Sequence, residues 1–143
     1  MNETSNRPSI NFWIFSSLAL VWNSMGVLAY ISQTFMSQKV LLTLSKAEQH
    51  YFINMPAWAT ATFATAVFAG VFGSIALLFK KRIANLLFSI SMISLLIHQF
   101  YNFFIQNYMA ISGMELILPI STTVIGFFLL WYSSKMSKQG VLN

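Results

Sequence analysis

Ser91, Ser94, His98 and Asn102 recur at steps of three, four and four residues. That spacing puts two hydroxyls, an imidazole and a carboxamide on one face of any helix that carries them. Three chemistries follow from the set. Ser94 and His98, at i and i+4, can be drawn as nucleophile and base, but acyl transfer also needs a group to orient the imidazole, and no carboxylate stands near them. An imidazole in a hydrated pocket can titrate near its ordinary pKa of about 6.5 and take part in ligand binding. A dry imidazole can instead join two helices through a hydrogen bond.

Other polar residues reach a similar depth in the apolar segments around them. At about 1.5 Å per residue, His98 lies roughly 10 Å from the near end of its segment. Gln99 is beside it, Thr62 and Thr65 are level with it on a second segment, and Ser121 and Thr122 on a fourth. Tyr30 is level with it on the first segment, and Asn23 lies deeper, next to Trp22. Pro119, which lacks an N–H, is expected to kink the fourth segment and free the Glu115 carbonyl. Glu115 has two readings: a polar group at the mouth of a site, or the far half of a capping box with Ser112 in "SGME". The ligand-binding candidates are therefore His98, Asn102, Gln99, Asn23, Tyr30, Thr62, Thr65, Thr122 and Glu115, gathered in a polar pocket in one half of the chain's apolar core.

Several chemistries fall away. The chain has no cysteine, which removes disulfides, thiol catalysis and thiolate metal sites. A haem with two axial histidines needs both at depth, and His50 sits in a connection. No apolar segment holds an acid for proton-coupled export, an arginine for an anionic cofactor, or a carboxylate pair for hydrolysis. The expectation is a non-enzymatic protein with no metal and no cofactor. The net charge of +5 does not imply nucleic acid, because the cations flank apolar segments and form no continuous basic face.

The elements that must position these residues are set by composition. Of the 143 residues, 57% are hydrophobic and 8% charged, against about 25% charged in an ordinary soluble domain. Four uncharged blocks, Ile10 to Phe35, Pro56 to Phe79, Ile83 to Phe104 and Leu116 to Tyr132, approach or exceed the ~20 residues that cross a bilayer. One all-α transmembrane domain over residues 1–143 follows, an antiparallel four-helix bundle with helices near 10–35, 56–79, 83–105 and 114–133. Its surroundings are membrane lipid. Residues 1–9 and 134–143 are polar and expected to fray.

Basic residues gather on the cytoplasmic side of membrane proteins. Arg7, Lys80, Lys81, Arg82, Lys135 and Lys138 share one side of such a bundle, Lys39 and Lys46 the other, which places both termini in the cytoplasm. In the first connection, Ser45 and Glu48 have capping-box spacing. Leu44, Ala47, Tyr51 and Met55 then recur at helical steps, predicting a short amphipathic helix that stops at Pro56 or runs on into the second span. On that span Thr62, Ala66, Gly70 and Ser74 form one row of small residues, and Ala61, Thr65, Ala69 and Gly73 the next. Such rows let backbones approach closely in lipid, so Ala66, Gly70 and Gly73 are packing residues, inside the chain or between copies of it.

The runs "LVWNSMGVLAYISQTFMS" and "PAWATATFATAVFAGVFGSIALLFKKR" resemble a family of small bacterial four-helix membrane proteins often labelled sugar transporters. The resemblance rests on the Trp22-Asn23 pair, the Pro56-Ala57-Trp58 entry and the basic turn, and extends over nearly the whole chain. It implies a bacterial inner-membrane setting and a shared four-helix layout, and it supplies no mechanism. Two roles stay open: a transporter-like protein with a pocket for a small molecule, or an accessory subunit whose small-residue faces pack on another membrane protein.

Overall fold

The structure, a computed structural model, describes residues 7–143; the expected fraying of the first residues falls largely outside them. Every regular element among the described residues is helical: α1 (Ile10–Thr34), α2 (Gln38–Leu41), α3 (Lys46–Asn54), α4 (Ala57–Leu78), α5 (Ile83–Phe100) and α6 (Ile117–Lys138). A π-helical turn, Tyr101–Ile105, continues α5, and a 3-10 turn, Gly113–Leu116, leads into α6. Four of these units are long and apolar enough to cross a membrane: Ile10–Thr34, Ala57–Leu78, Ile83–Ile105 and Gly113–Lys138.

Helix ends follow from local chemistry. Ser45 Oγ accepts from the Glu48 N–H at 3.3 Å and the Glu48 carboxylate accepts from the Ser45 N–H at 2.9 Å, completing the expected capping box of α3. Those bonds hold the Glu48 carboxyl below its usual range. α3 does not run into α4. Met55 is extended, with ψ 120, as the residue before a proline is biased to be, and Pro56 caps the next helix.

The "SGME" box does not form. Ser112 makes no side-chain cap, Gly113 turns the chain at φ +60, and the Glu115 N–H reaches the Ser112 carbonyl instead. α6 therefore begins just before Pro119, and the gap that proline leaves in the backbone ladder falls at this junction rather than in mid-helix.

Nor do residues 134–143 fray. α6 continues to Lys138 and ends in a Schellman turn, with the Val141 N–H on the Met136 carbonyl and Gly140 at φ +71. Glycine suits that left-handed position. The tail then lies along the α4–α5 connection: the Asn143 N–H donates to the Lys80 carbonyl and the Arg82 N–H to the Asn143 carbonyl. Leu142, 0% exposed, fills a core with Phe12, Leu77, Ala84, Phe88, Leu129 and Tyr132. What looked polar in the sequence holds one apolar plug, and the plug orders it.

α1 packs on α4, α4 on α5, and α5 on α6. Small residues allow the closest approaches. A Cβ on Gly70 would stand 2.0 Å from Asn23 Oδ1 of α1, and one on Gly73 3.0 Å from the Phe88 ring of α5. Ala66, Gly70 and Gly73 are thus taken up inside the chain. α1 and α6 touch through rings at the basic end, with Phe15 5.9 Å from Phe128 and 5.6 Å from Tyr132.

Candidate functional site

The polar residues at the end of α5 and in the π-helical turn reach three different neighbours. His98 is 8% exposed. Its Nδ1 lies 3.0 Å from the Ala59 carbonyl of α4, and its ring stacks on Phe63 at 4.9 Å. A carbonyl can only accept, so Nδ1 carries the proton. Thr62 Oγ1 donates to the same Ala59 oxygen at 2.8 Å.

Gln99, about 100° further round the helix, turns to α6. Its amide nitrogen donates to the Pro119 carbonyl at 3.0 Å and reaches Thr122 and Thr123 at 3.4 and 3.3 Å. Both threonine hydroxyls donate to the Pro119 oxygen as well. Asn102 meets the third neighbour, accepting from the Tyr51 hydroxyl of α3 at 2.7 Å. Burial first, and Tyr101 second, push the Tyr51 phenol up to about 12, so it remains a donor across the physiological range.

These residues join helices and do not gather around one space. No hydrogen bond links His98 to Ser94, so the nucleophile–base pairing has no geometry behind it. Thr65 returns its hydroxyl to the Ala61 carbonyl and is exposed. Tyr30 meets Phe63 and Phe68 edge-on. Glu115 is exposed at the start of α6.

The space between the helices lies elsewhere. A cavity of about 310 Å³ is bordered by Trp22, Asn23, Gly26 and Ala29 of α1, Phe63 and Ala66 of α4, Ser91 and Met92 of α5, and Thr122 and Gly126 of α6. Of the ligand candidates, Asn23 and Thr122 line it; the packing residue Ala66 does too. The wall is mostly apolar, and the polar side chains of Asn23, Ser91 and Thr122 already bond within the protein. Asn23 donates to the Ala19 carbonyl at 2.9 Å and to Ser74 Oγ at 3.2 Å, and Ser91 donates to the Ala66 carbonyl at 2.6 Å. Ser74 completes the group through the Gly70 carbonyl at 2.8 Å.

Four polar elements were missed from sequence. The Asn23–Ser74 pair and the Ser91 bond stitch α4 to both neighbours. Asn85 reaches Ser133 and Ser134 of α6. Gln106 spends its whole amide on the turn after α5, donating to the Asn102 and Met109 carbonyls and accepting from the Tyr108 and Met109 N–H groups. A signal existed for the cavity: Gly26, Ala29, Ala66 and Gly126 are small residues inside three of the spans.

Four membrane-length apolar helices define a multi-pass membrane protein. No protein-family model, curated protein or solved structure matches the chain.

Proposed function

We propose that this chain is a non-enzymatic, transporter-like membrane protein that holds a small molecule between its four long helices. The layout that belongs to this proposal is an antiparallel up-and-down bundle in a bacterial inner membrane, with the basic end and both termini in the cytoplasm and α3 lying at the outer interface. The observation that carries the reading is the cavity. Its ~310 Å³ is at the lower end of the range for small-molecule sites, roughly 300–1,000 Å³. Apolar walls with carboxamides at Asn23 and Gln33 suit a small amphipathic ligand.

Ala29 is exposed to this space, so Ala29→Trp fills it from one side. Native mass spectrometry of protein extracted gently into nanodiscs should find a small molecule in the wild type and none in the variant. A wild type that carries nothing, and that gains thermal stability from Ala29→Trp as an empty void would, overturns the proposal. Orientation has its own check. Reporter fusions after Arg82 and Asn143 should be active in the cytoplasm and one at Ser45 outside; an external signal at Arg82 inverts the layout.

A further inference from the structure

A second concavity, of about 330 Å³, opens on the outer surface between α1 and α6. Its walls are Leu18, Val21, Trp22 and Met25 on one helix and Ile125, Phe128 and Leu129 on the other, so the Trp22 indole is the one polar-tipped side chain among them. It begins at the Phe15–Phe128–Tyr132 rings. From Phe15 to Met25 a helix rises about 15 Å, half of the ~30 Å hydrocarbon thickness. The groove therefore has the length of one leaflet, measured from the basic end.

Basic residues lie beyond the groove at that end. Ile125, Phe128, Trp131 and Lys135 recur at steps of three, three and four, so they share a face of α6. Lys135 Nζ stands 5.1 Å from the Trp131 ring centre. Lys138 is also in the last turn, and the tail bonds bring Lys80, Lys81 and Arg82 to this end. The carboxylates among the described residues, Glu48 and Glu115, belong to α3 and the 3-10 turn at the opposite end.

We propose that this groove seats one acyl chain of an anionic phospholipid whose phosphate is held at Lys135. Hydrocarbon gains dispersion contacts along walls that would otherwise lack partners on one side, and the void is about twice the ~150 Å³ apolar cavity that takes up benzene. Water finds almost nothing to bond there. The apolar walls select the chain, and the lysine selects the charge. A zwitterionic lipid meets the first requirement and not the second. The groove shares Trp22, Met25, Ile125 and Leu129 with the central cavity, but Val21 lines the groove alone and Ala29 the cavity alone, so substitutions at those two positions separate this inference from the small-molecule reading.

The test uses the full chain in nanodiscs of equal phosphatidylglycerol and phosphatidylcholine, with retained lipid counted by native mass spectrometry. Phosphatidylglycerol should be retained over phosphatidylcholine, and Lys135→Gln should lower that preference about fivefold, the effect of one basic residue near an anionic surface. Lys81→Gln, exposed at the same end but off the groove, should leave it unchanged. Val21→Trp, at an exposed wall position, should reduce retention of both lipids while circular dichroism stays that of the wild type. Equal retention of the two lipids overturns the proposal. So does an equal loss from Lys81→Gln, which would mean diffuse charge, or a co-purified polypeptide that Val21→Trp displaces in place of lipid.

Discussion

His98→Ala is expected to lower the unfolding free energy of the protein by about 2–4 kcal/mol. Most of that is packing, since removing a buried ring leaves a hole lined by Phe63 and its neighbours. The hydrogen bond to the Ala59 carbonyl accounts for less, because interhelical bonds in membranes average about 0.6 kcal/mol. His98→Phe separates the two contributions: it keeps the stack on Phe63 and loses only the bond, so its cost should stay near 1 kcal/mol or below. Thermal or denaturant unfolding in nanodiscs measures both. An alanine variant as stable as the wild type, with pH-dependent ligand binding abolished, would return His98 to a ligand-binding role.

The second large effect is expected at Gly70. Even Gly70→Ala puts a methyl group where Asn23 Oδ1 now sits, 2.0 Å away. Asn23 cannot swing aside freely, because its amide is tied to Ala19 and Ser74. Either those bonds break or α1 lifts from α4, at about 1–3 kcal/mol. Adding Asn23→Ala should remove the clash, so the double variant should lose less than the two single losses summed. Gly70→Leu should prevent α1 from docking. If Gly70→Ala instead leaves stability intact and lowers the oligomer size, the small-residue row meets a second copy of the chain and not Asn23.

How much of this was legible beforehand depends on what each residue's geometry requires. Span limits were legible because charges interrupt hydrocarbon, and the α3 capping box because both of its halves lie within four residues. The polar face of α5 was legible from its period. Its partners were not, because depth follows from counting along a helix whereas azimuth depends on how neighbours rotate. Thr62 and Thr65 illustrate this: both are level with His98, yet one shares its carbonyl and the other faces outward. His98 and Gln99 are adjacent in sequence and hold opposite neighbours for the same reason. The SGME box failed on Gly113, whose positive φ no pattern of side chains announces. The order in residues 134–143 was hidden because one buried leucine, Leu142, outweighs the polar residues around it. The cavity is built from small residues on separate helices, visible one span at a time but not as a shared space.

The neighbour order α1–α4–α5–α6 is also the order of synthesis. Each long helix that leaves the ribosome finds its principal partner already made, so assembly can keep pace with translation, N-terminal parts first. Contacts between chain neighbours form quickly because little loop entropy opposes them. Beyond its packing on α5, the last helix brings two contacts with earlier parts of the chain: the ring cluster that joins Phe15 to Phe128 and Tyr132, and the tail that lies along the Lys80–Arg82 turn. The newborn chain is therefore an open strip of helices at first, and its final act of folding is to fasten the first helix to the last.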